Sequence, residues 1–413
     1  IIGAGGHGKV VKEVAEACGY KKVDFDDEAD IYIINTCSVT NEADKKDRKL
    51  IHTTRNNHKD KILVVMGCFS QLNPDVIDAD IVLGNKHKSK IVELIKEFQT
   101  NKTKIVKVED ISDTNFEDMY INRFVEHTRA FVKIQDGCNA FCAYCTIPYA
   151  RGNLRSKNFN KVISEVTELV NNGYKEIVLT GIHTGRYGKE QNTNLENLLR
   201  ELVKIEGLLR IRLSSIEINE ITDGIIDLIK NNPIMAKHLH IPMQSGSNEI
   251  LVSMNRKYKK EYFIERVAHI RKEIPDISIT TDLIVGFPGE TEELFKETID
   301  TLNIIKFTKI HTFPYSKRNG TVAATMPNQV DGNIKKCRVK EVLALSNKYE
   351  ESFYKSKIGA TYDGLIETRK DGKKIVITTN YIPVEVTTDL SNNEIVNLTI
   401  DEVNGLRVLG KIE

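Results

Sequence analysis

The sequence predicts an α/β protein in three parts: an N-terminal doubly wound parallel-sheet domain, a central partial (β/α)6 barrel, and a small antiparallel β-barrel at the C-terminal end. Two changes of pattern carry this prediction. Up to about residue 350, short apolar runs alternate with long helical patterns, as in a parallel sheet with crossover helices. From about Gly359 the helical patterns stop, and strand-like runs are divided by Asp371-Gly372, by Ser391, Asn392 and Asn393, and by Asn404-Gly405, the punctuation of a small β-barrel. The length agrees, since 413 residues exceed one ordinary domain and suit two or three.

The elements follow in order. In the first domain, residues 1–98, Ile31–Ile34 and Ile62–Val65 read as buried strands, each ending in a polar turn that contains a cysteine. Between them Glu42 to Asn56 is charged and helical, with Leu50 and Ile51 facing inward. Open parallel sheets bind ligands at the carboxyl ends of their strands, which is where Cys37 and Cys68 fall. Residues 99–125 are polar, lack periodicity and read as a linker. In the second domain, residues 126–350, the candidate strands are Ala130–Ile134, Glu176–Thr180, Arg210–Ser214, His238–Ile241, Ser278–Ile284 and Ile310–Phe313. Six βα units are too few to close an eight-stranded barrel but fit a partial barrel with an open side. In the third, residues 356–413, Lys374–Thr378, Ile382–Thr387 and Leu406–Lys411 read as strands.

Composition bounds the function. An apolar fraction of 40% and a charged fraction of 28% are ordinary for a soluble chain with a core. With 59 Lys plus Arg against 58 Asp plus Glu, global charge marks neither a nucleic-acid binder nor an acidic tail, and leaves room for a local basic face. No apolar run approaches the roughly 18 residues that span a bilayer, and no leader pattern is present. A cytoplasmic protein without a membrane partner is expected. The seven cysteines, Cys18, Cys37, Cys68, Cys138, Cys142, Cys145 and Cys337, are odd in number in a large chain, which speaks against a disulfide framework.

Cys138, Cys142 and Cys145 form a C-x₃-C-x₂-C triplet just after a predicted strand. A structural zinc usually takes four protein ligands, commonly as two pairs, and no fourth is evident nearby. A [4Fe–4S] cube on three thiolates leaves one iron with an open position. Such an iron can chelate the amine and carboxylate of S-adenosylmethionine and pass one electron to its sulfonium, giving a 5′-deoxyadenosyl radical. Zinc and unliganded buried cysteines are the other readings.

The triplet, within Gln135 to Gly152, resembles the radical S-adenosylmethionine superfamily, specifically its methylthiotransferases. The resemblance continues through Asn35 to Asp44, Gly67-Cys68, Leu239 to Gly246 and Thr281 to Glu290, and covers roughly residues 25 to 413. The final barrel is similar to the family's TRAM domain, an RNA-binding module. The resemblance implies two [4Fe–4S] clusters. One, on Cys138, Cys142 and Cys145, binds S-adenosylmethionine; an auxiliary cluster uses three further cysteines, of which Cys37 and Cys68 match two. It also implies that Tyr144 touches adenine and that Thr180-Gly181 forms the turn meeting the methionine amine. Gln244 and Asp282 are expected at strand ends facing the cavity, or as ordinary polar rim residues.

Residues 35–44 and 144–152 look most like the bacterial enzymes that methylthiolate N6-threonylcarbamoyladenosine at position 37 of tRNA. Relatives acting on isopentenyladenosine-37, or on a ribosomal protein, are the alternative. Such an enzyme uses two molecules of S-adenosylmethionine, one as methyl donor and one as radical source. The implied partners are a tRNA anticodon loop and an electron donor such as flavodoxin or ferredoxin, and a monomer is expected. Unstacked loop bases suit recognition by stacking and polar contacts. Arg151, Arg155 and Lys157, and on the first domain Lys45, Lys46, Arg48 and Lys49, could hold phosphates or could be solvated helix faces. From residue 356 onward there are about two more acids than bases, which does not favour RNA.

One end departs from the family. Its first auxiliary cysteine should lie near Ile1, yet residues 1–10 contain none. Gly3, Gly5 and Gly8 instead spell G-x-G-x-x-G, a pattern that lets backbone amides approach a phosphate. The string to about Tyr20 resembles the start of sugar acyltransferases related to sialic-acid biosynthesis proteins, so an exchanged first βα unit is expected. His7 lies in the loop concerned, and imidazole can ligate iron. Cys18 is expected near the C-terminal end of the following helix, and Cys337 as a packing residue. A tRNA-binding relative with impaired sulfur transfer is the reading that follows if no third ligand replaces the cysteine.

Overall fold

The computed structural model describes residues 15–16, 18–25, 27–38, 41–112, 115–117, 128–369 and 371–413. The glycine pattern of Gly3, Gly5 and Gly8, and His7, lie outside the described residues. Two compact units divide the chain: residues 1–121, 136–155 and 316–324 form one, and residues 122–135, 156–315 and 325–413 the other.

The first unit holds four parallel strands in the order β1 (Ile31–Thr36), β2 (Ile62–Gly67), β3 (Ile81–Leu83) and β4 (Ile105–Lys107). Its helices are α1 (Asn41–Asn57), α2 (Cys68–Leu72), α3 (Ile91–Asn101) and α4 (Ile147–Arg151). The strands are almost wholly apolar because both sheet faces are covered. Tyr32, Ile34, Leu63 and Val65 pack with Ile51 of α1 and Phe69 of α2. Ile33, Val64, Met66 and Leu83 pack against Ile91, Leu94 and Ile95 of α3. Helices on both faces are the layering expected of this domain. The segment read as a linker from residue 99 contributes the end of α3 and then β4, hydrogen-bonded to β3. Three residues are too short to show a period, and Val106 is half exposed at the sheet edge.

In the second unit the six expected strands are β5 (Arg129–Lys133), β6 (Glu176–Thr180), β7 (Arg210–Leu213), β8 (His238–His240), β9 (Ser278–Val285) and β10 (Lys309–Pro314). β5, β6 and β7 pair in parallel, as do β8, β9 and β10. Single bridges from Ile211 to Met235 and from Ser215 to His240 join the two halves. The crossover helices include α5 (Phe159–Asn171), α6 (Leu195–Leu202) and α7 (Asp223–Asn231), N-capped by Asn158, Asn194 and Thr222. α8 (Lys260–Glu273) and α9 (Glu292–Ile305) lie between later strands, and α10 (Gly332–Lys355) follows the sixth.

A closed five-stranded barrel ends the chain: β11 (Thr361–Thr368), β12 (Lys374–Thr378), β13 (Pro383–Val386), β14 (Ile395–Asn404) and β15 (Arg407–Ile412), paired in the order β11-β12-β13-β15-β14. Ile366, Val376, Val384, Leu398 and Val408 fill it. Its contact with the larger barrel is an ion network. Fully buried Glu176 accepts from Arg212 Nε at 3.0 Å and Arg210 Nη1 at 3.4 Å, with Arg129 Nη1 at 4.0 Å. Three guanidiniums exceed one carboxylate. Glu367 and Asp363 of β11 supply the balance, the first 2.8 Å from Arg129 Nε and the second bonded to Arg210. Two of the acids that had counted against RNA binding are therefore paired with arginines of the larger barrel.

Candidate active site

In the first unit, the loop carrying the cysteine triplet is pinned by a glycine at each end. Cys138 N–H donates to the Gly152 carbonyl at 3.0 Å. Gly137 and Gly152 both have φ of 72°, and a Cβ on them would lie 1.8 Å from the Asn153 carbonyl oxygen and 1.9 Å from that of Ile111. Only glycine tolerates both the angle and the approach. Inside the loop Cys145 N–H donates to the Cys142 carbonyl at 2.9 Å. The amides of Ala140 and Ile147 point at Cys138 Sγ and Cys145 Sγ, each at 3.4 Å. Such amide–sulfur bonds tune an iron–sulfur cluster. All three thiols are partly exposed.

A single zinc needs its donors gathered about one point. Among the described residues no three His, Cys, Asp or Glu side chains are so gathered. The thiolates of a cube bind separate irons of one cluster, and the C-x₃-C-x₂-C loop supplies three of them, the number that leaves one iron open. Tyr144 is half-buried between the last two cysteines. Phe141 and Tyr149 are exposed and meet each other edge to face at 6.0 Å.

Cys37 and Cys68 also belong to this unit. Thr36 and Gly67 are register partners, so the two cysteines follow side by side at adjoining strand ends. Cys68, buried at the start of α2, receives Arg151 Nε at 3.1 Å and Asn85 Nδ2 at 3.5 Å. Burial opposes the Arg151 charge, but the Cys68 thiol, the Asp136 carboxylate and Cys37 outweigh it and raise the guanidinium above its ordinary range. Cys37 N–H donates to Asp47 Oδ2 at 2.9 Å, and burial pushes that carboxyl up to about 6 despite the bond. No third thiol joins this pair among the described residues. Cys18 is exposed, its N–H bonded to the Ala15 carbonyl at 3.1 Å. Cys337 is exposed on α10 rather than packed.

The second unit holds the other expected contacts. Thr180 ends β6, and its Oγ1 donates to the Val132 carbonyl at 3.3 Å. A Cβ on Gly181 would lie 3.0 Å from the Gln135 side chain, whose Oε1 accepts the His183 N–H at 2.6 Å. Beside this turn Glu220 accepts from Arg186 Nε at 2.5 Å and lies 2.9 Å from His183 Nε2. The sequence reading missed this trio, whose members are up to 37 positions apart and follow no motif spacing. Gln244 is half-buried with φ of 65° and bridges to Leu283.

Asp282 lies within β9 rather than at its end, because the strand runs on to Val285 and stops only at Gly286, where φ is 70°. Its Oδ2 is 3.3 Å from His240 Nε2, and His311 is its register partner on β10.

The basic residues after the triplet are not available to phosphates. Arg155 is bonded to Asp136 at 2.8 Å, Arg151 to Cys68, and nearly inaccessible Lys157 to Glu165 at 2.5 Å. Pairing outweighed exposure because each carries a buried carboxylate or thiol partner. Lys45, Lys46, Arg48 and Lys49 are exposed on α1. No helix among the described residues is long and apolar enough to cross a membrane.

Comparison with known proteins agrees with these features. The Radical SAM superfamily model matches residues 132–302, and that of "Uncharacterized protein family UPF0004" matches residues 7–85. The threonylcarbamoyladenosine tRNA methylthiotransferase MtaB of Bacillus subtilis (strain 168) is 42% identical over 388 residues, 91% of this chain and 86% of that protein. The MtaB of Aquifex aeolicus (strain VF5) is 39% identical, covering 89% of this chain and 90% of its own. The tRNA-2-methylthio-N(6)-dimethylallyladenosine synthase of Acetivibrio thermocellus is 37% identical, over 84% of this chain and 75% of that protein. Among solved structures, the radical S-adenosylmethionine methyltransferase TsrM of Kitasatospora setae, with cobalamin and a [4Fe-4S] cluster bound, shares the fold at a TM-score of 0.57 and 15% identity, covering 76% of this chain and 73% of that one. The chain belongs to the radical S-adenosylmethionine methylthiotransferase family.

Proposed function

We propose that this enzyme converts N6-threonylcarbamoyladenosine at position 37 of tRNA to its 2-methylthio derivative. The observation that carries the reading is identity spread over 79% or more of the chain: three relatives named for threonylcarbamoyladenosine are 39 to 42% identical, and five named for dimethylallyladenosine 35 to 37%. Cys138, Cys142 and Cys145 would hold one [4Fe–4S] cluster, which when bound supplies the electron that cleaves S-adenosylmethionine to a 5′-deoxyadenosyl radical. Tyr144, Thr180, Gly181, Gln244 and Asp282 are the candidate contacts to S-adenosylmethionine. The tRNA anticodon loop is the substrate, with α1 offering an exposed basic face.

Cys37 and Cys68 would be two ligands of the auxiliary cluster. Arg151 and Asn85 present donors to Cys68, contacts of the kind that tune an iron–sulfur cluster. Among the described residues Cys37 and Cys68 are the two thiols that lie at these adjoining strand ends. Iron and sulfide per chain after anaerobic reconstitution, with Mössbauer speciation, test both assignments. About eight irons in two cubes supports them. About four, lost in Cys142→Ala but kept in Cys37→Ala, would leave a radical enzyme without a sulfur-delivery site. Cys142→Ala is expected to abolish 5′-deoxyadenosine formation in either case, and retained formation would contradict the triplet's role.

A further inference from the structure

We infer that Arg318, outside every motif and ligand set above, is a positioning residue that holds the Cys37 turn against the loop of the cysteine triplet. Its guanidinium is buried within the first unit and all its partners belong to that unit. Nη2 donates to the Ser38 carbonyl at 2.9 Å and to Ser38 Oγ at 2.6 Å. Nη1 reaches Asn41 Oδ1 at 3.0 Å and Asp44 Oδ2 at 2.9 Å. The Ser38 carbonyl also accepts from Thr146 Oγ1 at 3.1 Å. Ser38 follows Cys37 and Thr146 follows Cys145, so one carbonyl joins a residue adjoining each thiol set, with Arg318 fixed on it.

The strand of chain around Arg318 grips both sides. Asn41 Nδ2 donates to the Lys317 carbonyl at 2.7 Å, and Ala323 N–H donates to the Ala143 carbonyl at 2.8 Å, between Cys142 and Cys145. A planar guanidinium can serve four acceptors in fixed directions, which a lysine ammonium on a flexible stem cannot. The consequence concerns coupling. Hydrogen abstraction and sulfur transfer must reach the same substrate carbon, and a displacement of about 1 Å between reacting groups can lower a rate by about 10²-fold. Arg318 touches neither thiol set, so its loss would leave radical generation possible while misplacing one set against the other.

This inference rests on the methylthiotransferase reading, and two measurements keep the two separable. In Arg318→Met, amide hydrogen exchange of the apoprotein is expected to quicken about tenfold both in residues 41–57 and in residues 137–152, with Arg318→Lys between wild type and Met. Quickening confined to residues 316–324 would overturn the proposal. In the reconstituted enzyme, the methylthio product per 5′-deoxyadenosine is expected to fall at least about tenfold while S-adenosylmethionine cleavage persists. A fall of both together, or an unchanged ratio, would overturn it. If wild type cleaves S-adenosylmethionine without methylthiolating tRNA, the functional reading fails, and the exchange result still decides whether Arg318 ties the loops. Should Arg318→Met not fold, Asp44→Asn removes one contact and is expected to quicken exchange in the same two segments; no change there would count against the tie.

Discussion

His238 illustrates how one residue's surroundings set a pH limit. It lies buried at the start of β8, its Nε2 3.2 Å from Thr280 Oγ1 and its ring 4.6 Å from that of Tyr381. Burial foremost, and then the Arg212 cation, hold its pKa well below the ordinary 6.5. The unfolded chain takes up a proton near 6.5 and the folded chain does not, so stability present above that pH is lost as the pH falls below it. Melting temperatures of wild type and His238→Gln, taken between about pH 5 and pH 8, are expected to diverge on the acid side, with wild type losing more. Parallel curves would refute this. The contrast with the triplet shows what a sequence can disclose at this scale. Cys138, Cys142 and Cys145 are legible because their chemistry is written in short spacing along one loop. Arg318 and Ser38 are 280 positions apart, and Glu220 meets Arg186 across 34, so their roles exist only after folding.

At the scale of elements, strands with covered faces or clear turns were legible, and short or irregular ones were not. Glu176–Thr180 and Lys374–Thr378 fall where their apolar runs put them. β3 and β4 have three residues each, too few for a pattern. β11 contains Asp363 and Gly364, and β14 breaks register between Ile400 and Glu402, so neither reads as a strand despite full pairing. The triplet loop depends on such irregular backbone. Gly152→Ala would place a methyl group against the Ile111 carbonyl and force a side chain onto positive φ, which by itself costs about 1 kcal/mol. We expect the variant to bind less than half the wild-type iron under reconstitution, measured with sulfide on the same samples. Undiminished iron would show that the loop does not need its glycine hinge.

For the whole molecule, the parallel-sheet and β-barrel classes were visible from the sequence, but the charge network joining the larger barrel to the C-terminal one was not. Arg210 and Arg212 look like surface cations in a list of residues and are nearly inaccessible in the fold. Glu176→Gln would leave three guanidiniums without their shared carboxylate, a loss of about 3–5 kcal/mol for a broken buried pair, readable as a lowered denaturant midpoint of the full chain. Asp363→Asn should cost less, because that carboxylate is 45% exposed. Equal effects would place the balance of charge elsewhere.

The claim that organises the molecule, from the triplet to the paired cysteines, is methylthio transfer to the threonylcarbamoylated adenosine of tRNA. The direct measurement is mass spectrometry of nucleosides from tRNA incubated anaerobically with the reconstituted enzyme, S-adenosylmethionine and a reductant. Conversion of N6-threonylcarbamoyladenosine to its 2-methylthio form, with dimethylallyladenosine left unchanged in the same mixture, is the predicted result. Formation of 5′-deoxyadenosine with both nucleosides unaltered, or modification of dimethylallyladenosine instead, would contradict it.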